Sequence, residues 1–75
     1  MTDVFKLHGK PLTFIRISKG KTVTDVAKAL GVSAAHVSQC EKSKRKLSES
    51  KTKKFLEYIG MSVDEAKAFV QIIGE

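Results

Sequence analysis

The sequence predicts an all-α fold of five short helices. Apolar residues recur at intervals of three and four along most of the chain, and outside the N-terminal TDVFKLH no segment alternates with period two strongly enough for a strand. Glycines and Ser or Thr residues punctuate the periodic stretches where helix stops and caps are expected. The chain is also short, at 75 residues with a single cysteine, so no internal disulfide can reinforce it and packed helices are the economical way to build a core. These observations predict one domain over residues 1–75. Residues 1–10 form an N-terminal arm, and the sequence leaves open whether Val4, Phe5 and Leu7 lie in a strand, a helical turn or an extended arm.

The first helix is predicted from Pro11, which suits a first helical turn, to Lys19, with Gly20 as its stop. Leu12, Ile15 and Ser18 or Lys19 mark one face. In KTVTDVAKALG, Thr22 and Asp25 have the spacing of a reciprocal capping box. Val23, Val26, Ala27 and Leu30 then recur at helical spacing until Gly31 ends the second helix. Ser33 caps a third helix from Ala34 to about Lys42, whose narrow apolar stripe is Ala34, Val37 and Cys40. A basic loop, 43–48, leads to a fourth helix that buries Phe55, Leu56 and Ile59 and stops at Gly60. Ser62 and Glu65 form a second capping box, and the fifth helix runs from Val63 to Ile73, burying Ala66, Phe69, Val70 and Ile73. Part of that last helix, Phe69 or Ile72, is expected either to pack internally or to contact a second copy of the chain.

Only Gly31, Val32 and Ser33 connect the second helix to the third, which is the spacing of a helix-turn-helix pair. A helix meant for the major groove of DNA buries only its rear and keeps a small, polar front. The third helix has that composition.

The order Arg16, Gly20, Thr22, Val26-Ala27, Leu30-Gly31-Val32-Ser33, Val37-Ser38, Glu41 and Lys44-Arg45 resembles the Cro/repressor (Xre-type) helix-turn-helix family. The later LEYIGMSVDEA resembles that family's junction between fourth and fifth helices, and the resemblance covers about Leu12 to Phe69. It implies a five-helix repressor-type domain that binds a pseudo-palindromic operator as a homodimer, in the cytoplasm of a bacterium or encoded by a phage. By position, Ala34, Ala35, His36, Ser38 and Gln39 would face the bases. Gln39 is the best direct reader, since its amide can pair with both N6 and N7 of adenine. Ala35, and with it Ala34, could only pack on a thymine methyl, and His36 could donate to a phosphate or a guanine edge. The resemblance also implies a partly buried ion pair between Arg16 and Glu41.

The departures are informative. Where family members often carry a phosphate-contacting glutamine, this chain has Val23, so that contact would fall to Thr22 or to a backbone N–H at the helix start. Two alanines stand where longer polar side chains are common, and the loop glycine after the third helix is Ser43. Sparse direct readout would leave specificity to DNA shape, or the surface would serve a protein partner instead, as a module that binds and modulates another repressor.

Charge favours a polyanionic partner. The net charge is +6 and the sequence pI about 9.7. Lys42, Lys44, Arg45, Lys46, Lys51, Lys53 and Lys54 gather half of the 14 basic residues beside the third helix. Of these, Lys42, Lys44, Arg45 and Lys46, with Thr22 and Val23, are the expected phosphate contacts.

Other classes find little support. No nucleophile–base set, metal-ligand cluster or phosphate loop is present, so neither enzymatic activity nor a cofactor is expected. His8 and His36 are too isolated for a metal site, and Cys40 reads as a small core residue suited to a reducing compartment. No apolar run suits a signal peptide or a membrane span. The length leaves no room for a separate sensing domain.

Overall fold

The computed structural model describes residues 5–73. Five helices follow in order: α1 (Gly9–Ser18), α2 (Val23–Leu30), α3 (Ala34–Glu41), α4 (Glu49–Ile59) and α5 (Val63–Ile73). Among the described residues there is no strand. α2 packs on α3 and α4, α1 packs on α3 and α5, and α4 meets α5.

The caps explain most boundaries. At α2, the Thr22 hydroxyl accepts the Asp25 N–H and the Asp25 carboxylate accepts the Thr22 N–H, both at 3.0 Å. Ser62 and Glu65 make the same reciprocal pair at α5, at 3.0 and 3.1 Å. The Ser33 and Ser48 hydroxyls accept the N–H groups of His36 and Lys51 at the starts of α3 and α4. Each cap satisfies one backbone donor that the helix itself leaves without an acceptor.

α1 begins at Gly9, two residues before the expected Pro11, which still sits in the first turn where its missing N–H has no partner to lose. α3 ends at Glu41, with Lys42 as its C-terminal cap.

The core draws on every helix. Leu12 and Ile15 come from α1, Val26, Ala27 and Leu30 from α2, Val37 and Cys40 from α3, Phe55, Leu56 and Ile59 from α4, and Ala66 from α5. Two core residues lie outside helices: Leu7 of the arm and Leu47 of the basic loop are both fully buried. Residues 5–8 are neither helical nor paired as a strand. Leu7 is fixed there by its backbone, because its N–H donates to Thr52 Oγ1 and its carbonyl accepts the Leu47 N–H, each at 3.1 Å. Thr52, itself buried, returns its hydroxyl proton to the Leu47 carbonyl. A buried hydroxyl with both roles filled costs little to bury.

Several expected burials are corrected. The face of α1 marked by Leu12, Ile15 and Ser18 or Lys19 is buried only as far as Ile15, Ser18 and Lys19 being exposed. On α5 only Ala66 is fully buried; Phe69, Val70 and Ile73 are half-buried and Ile72 is 81% exposed. α5 lies at the edge of the bundle, so an apolar stripe that would fill a central helix is only half covered. Ala34 is exposed and does not belong to the rear stripe of α3. It stands about 120° from Cys40 around an axis turning ~100° per residue, off the face that Cys40 anchors.

Candidate nucleic-acid interface

The α2–α3 turn is closed by backbone geometry. Gly31 adopts φ 71°, ψ 34°, and the Val32 N–H donates to the Ala27 carbonyl at 3.0 Å. This left-handed conformation lets the chain leave α2 and restart three residues later, at low cost only for glycine. The Leu30 carbonyl, left open by the helix end, accepts Lys51 Nζ from α4 at 2.8 Å.

α3 is held from behind by Val37 and Cys40, which fixes which residues look outward. Ala34, Ala35 and Gln39 are exposed, and His36 and Ser38 are half-buried. Burial pushes the Cys40 thiol up from its ordinary pKa, so it stays protonated and inert at neutral pH. The α3 N-terminus carries no acidic residue in its first turn, whereas α2 has Asp25, α4 has Glu49 and α5 has Asp64 and Glu65. The α1 N-terminus shares this feature; within the helix-turn-helix pair the positive pole of α3 is less neutralised than that of α2.

At the α2 start the situation differs. Backbone and side-chain hydrogen bonds from Thr22 hold the Asp25 carboxyl below its ordinary pKa, so a negative charge persists there. Thr22 is exposed, but its hydroxyl is already engaged as the cap. The Val23 side chain is half-buried and packs against the core, leaving only its backbone N–H to face an anion.

Arg16 ties α1 to α3. Its Nε and Nη2 donate to Glu41 at 2.5 and 3.2 Å, and its Nη1 donates to the Lys21 carbonyl at 2.9 Å. The two side chains are only 14% and 11% exposed. The two-pronged geometry sets the orientation of α3 relative to α1.

The basic loop after α3 is exposed at Lys42, Lys44, Arg45 and Lys46, with Leu47 turned inward. Arg45 Nη1 lies 2.9 Å from His36 Nδ1. Since a guanidinium can only donate, His36 accepts at Nδ1 and its other ring nitrogen is left to donate. The loop is thereby drawn onto the exposed face of α3. Lys51 and Lys53 separate from this cluster: Lys51 turns inward to Leu30, and Lys53 pairs with Glu49 at 4.0 Å along α4.

Sequence reasoning did not find the inward turn of Lys51 or the Arg45–His36 contact, because both are side-chain contacts between different elements, 21 and 9 positions apart, that helical spacing does not encode. Leu47 was hidden among lysines. Its signal was a lone large apolar residue in an otherwise polar loop.

No metal-binding group of three or more His, Cys, Asp or Glu occurs among the described residues, and no helix is long and apolar enough to cross a membrane. A short glycine turn, a rear-anchored α3 and a flanking basic loop define a protein of the helix-turn-helix class. The chain belongs to the helix-turn-helix domain family, whose pattern matches residues 12–69. No curated protein is similar enough to count as a match.

Proposed function

We propose that this protein is a sequence-specific DNA-binding transcriptional regulator of the Cro/repressor kind, acting as a single domain that inserts α3 into the major groove. The observation that carries this reading is the exposed small and polar face of α3 beside an exposed basic loop. Gln39 and the donor nitrogen of His36 are its polar readers, Ser38 assists at the margin, and Ala34 and Ala35 allow close approach and contact with thymine methyls. Lys42, Lys44, Arg45 and Lys46 supply phosphate contacts, while Thr22 and Val23 contribute chiefly through the backbone at the α2 start. With so few base-reading groups, DNA deformability carries part of the specificity.

Such a regulator works as a homodimer on two half-sites. An apolar surface suited to self-association lies on α1 and α5. Phe14 is 49%, Ile17 60% and Ile72 81% exposed, and the Phe14 ring meets that of Phe69 at 5.5 Å. Placing a charge there, as in Ile72→Glu, is expected to lower the mass measured by light scattering from dimer to monomer. The single buried cysteine suits the reducing cytoplasm of a bacterial host.

Selection from random duplex DNA tests the reading. An enriched site with two half-sites is expected, and Gln39→Ala should relax one position by about 1–3 kcal/mol. Only weak, sequence-blind binding would instead point to the exposed Ala34–Ala35 surface as a contact for a protein such as another repressor.

A further inference from the structure

We propose that the N-terminal segment is part of the nucleic-acid interface, with Lys6 contacting phosphate alongside the α3–α4 loop; this rests on the DNA-binding reading above. Side chains alternate along the extended residues 5–8. Phe5 packs against the core and Leu7 is buried within it, whereas Lys6 is exposed and His8 half-buried. Lys6 and His8 thus share the outward side of the segment.

That side meets the basic loop. His8 Nδ1 shares a hydrogen bond of 3.2 Å with Ser43 Oγ, at the loop's beginning. The Leu7 carbonyl accepts the Leu47 N–H at 3.1 Å, at the loop's end. Lys44, Arg45 and Lys46 lie between these anchors and are exposed. An extended chain rises about 3.3 Å per residue, so Lys6 stands only ~7 Å from His8. Over the ~8–10 Å screening length of physiological salt, neighbouring cations repel one another but add their potentials at a nearby anion, so a phosphate beside this segment and the loop would feel both. Among the described residues the ion pairs engage Arg16 with Glu41 and Lys53 with Glu49, and none of them takes up Lys6, Lys44, Arg45 or Lys46. A strip of cations held on a braced backbone suits a run of phosphates, whose affinity comes from release of condensed counterions.

The test is the salt dependence of binding to duplex DNA, followed by fluorescence anisotropy on the full chain. Lys6→Gln and Lys46→Gln each change one exposed side chain and leave the core intact. Lys67→Gln is the control: its ammonium lies 5.9 Å from the Phe5 ring, toward the inward side of the same segment. Lys6→Gln is expected to reduce the slope of log K against log salt by about 0.9, as Lys46→Gln does, with Lys67→Gln unchanged. A wild-type slope for Lys6→Gln beside a reduced slope for Lys46→Gln would overturn the proposal while leaving the DNA reading intact. No binding by the unaltered protein would overturn the DNA reading itself, and this inference with it.

Discussion

Replacing Arg16 by methionine probes the joint between α1 and α3 most directly. The substitution keeps much of the side chain's apolar contact and removes three hydrogen bonds, two to Glu41 and one to the Lys21 carbonyl. Glu41 is then left charged in a site where its side chain is 11% exposed. Breaking a fully buried pair costs about 3–5 kcal/mol, and an exposed one about 0–1. The small opening to water places this pair near the lower end of the buried range, at about 3 kcal/mol. For a domain whose whole stability is roughly 5–10 kcal/mol, that is a large fraction. It corresponds to a fall of about 12–24 °C in Tm. Urea denaturation followed by circular dichroism measures the loss. The double variant Arg16→Met with Glu41→Leu removes the orphaned charge and should recover most of it, because an apolar pair often replaces a buried ion pair without loss. A loss under about 1 kcal/mol for Arg16→Met, or no recovery in the double variant, would refute the reasoning and make the pair a solvated contact.

Three further outcomes follow from the geometry. Thr52→Val preserves shape but orphans the Leu7 N–H and the Leu47 carbonyl, so it should cost about 1–3 kcal/mol and speed hydrogen exchange at Leu7. Ser43 has φ 60°, a region where a non-glycine residue loses roughly 1–2 kcal/mol. Ser43→Gly should therefore raise the stability slightly, by up to about 1 kcal/mol after the loss of chain entropy and of the His8 contact, seen as a higher urea midpoint; a lowered midpoint would contradict this. Asp25 and Glu65 have pKa values depressed below 3.8 and 4.5, by hydrogen bonds from Thr22 and Ser62. Their contribution is fully present above those values and is lost as pH falls through the lowered folded-state values. Asp25→Asn with Glu65→Gln should flatten the acid limb of a stability–pH curve below about pH 4.

Much of the fold was legible in one dimension because its signals are local. The Thr22–Asp25 and Ser62–Glu65 boxes are decided within four residues, as are the left-handed stops at Gly31 and Gly60. The apolar spacing of Val26, Ala27 and Leu30 on α2, and of Phe55, Leu56 and Ile59 on α4, likewise needs nothing beyond helical periodicity. The exposed face of α3 follows from the same arithmetic, since Val37 and Cys40 fix its rear.

What periodicity could not supply was how much of each face a neighbour covers. α5 has an apolar stripe whichever way it packs, and only its place at the bundle edge leaves Ile72 exposed and Phe69 half-covered. Ala34 has the chemistry of a core residue, and the structure nonetheless leaves it exposed, off the face that Val37 and Cys40 bury. Lys51 reads as one more surface cation until α4 brings it to the open carbonyl of Leu30. The arm was undecidable for a similar reason: a short extended segment has no internal hydrogen bonds, so Leu7 acquires its place only through Thr52 and Leu47. Composition and spacing alone determined the five helices, the tight turn and the Val37–Cys40 rear of α3. The tertiary structure decided which cations remain free for a partner and what braces the basic loop, because those depend on contacts between residues up to 45 positions apart.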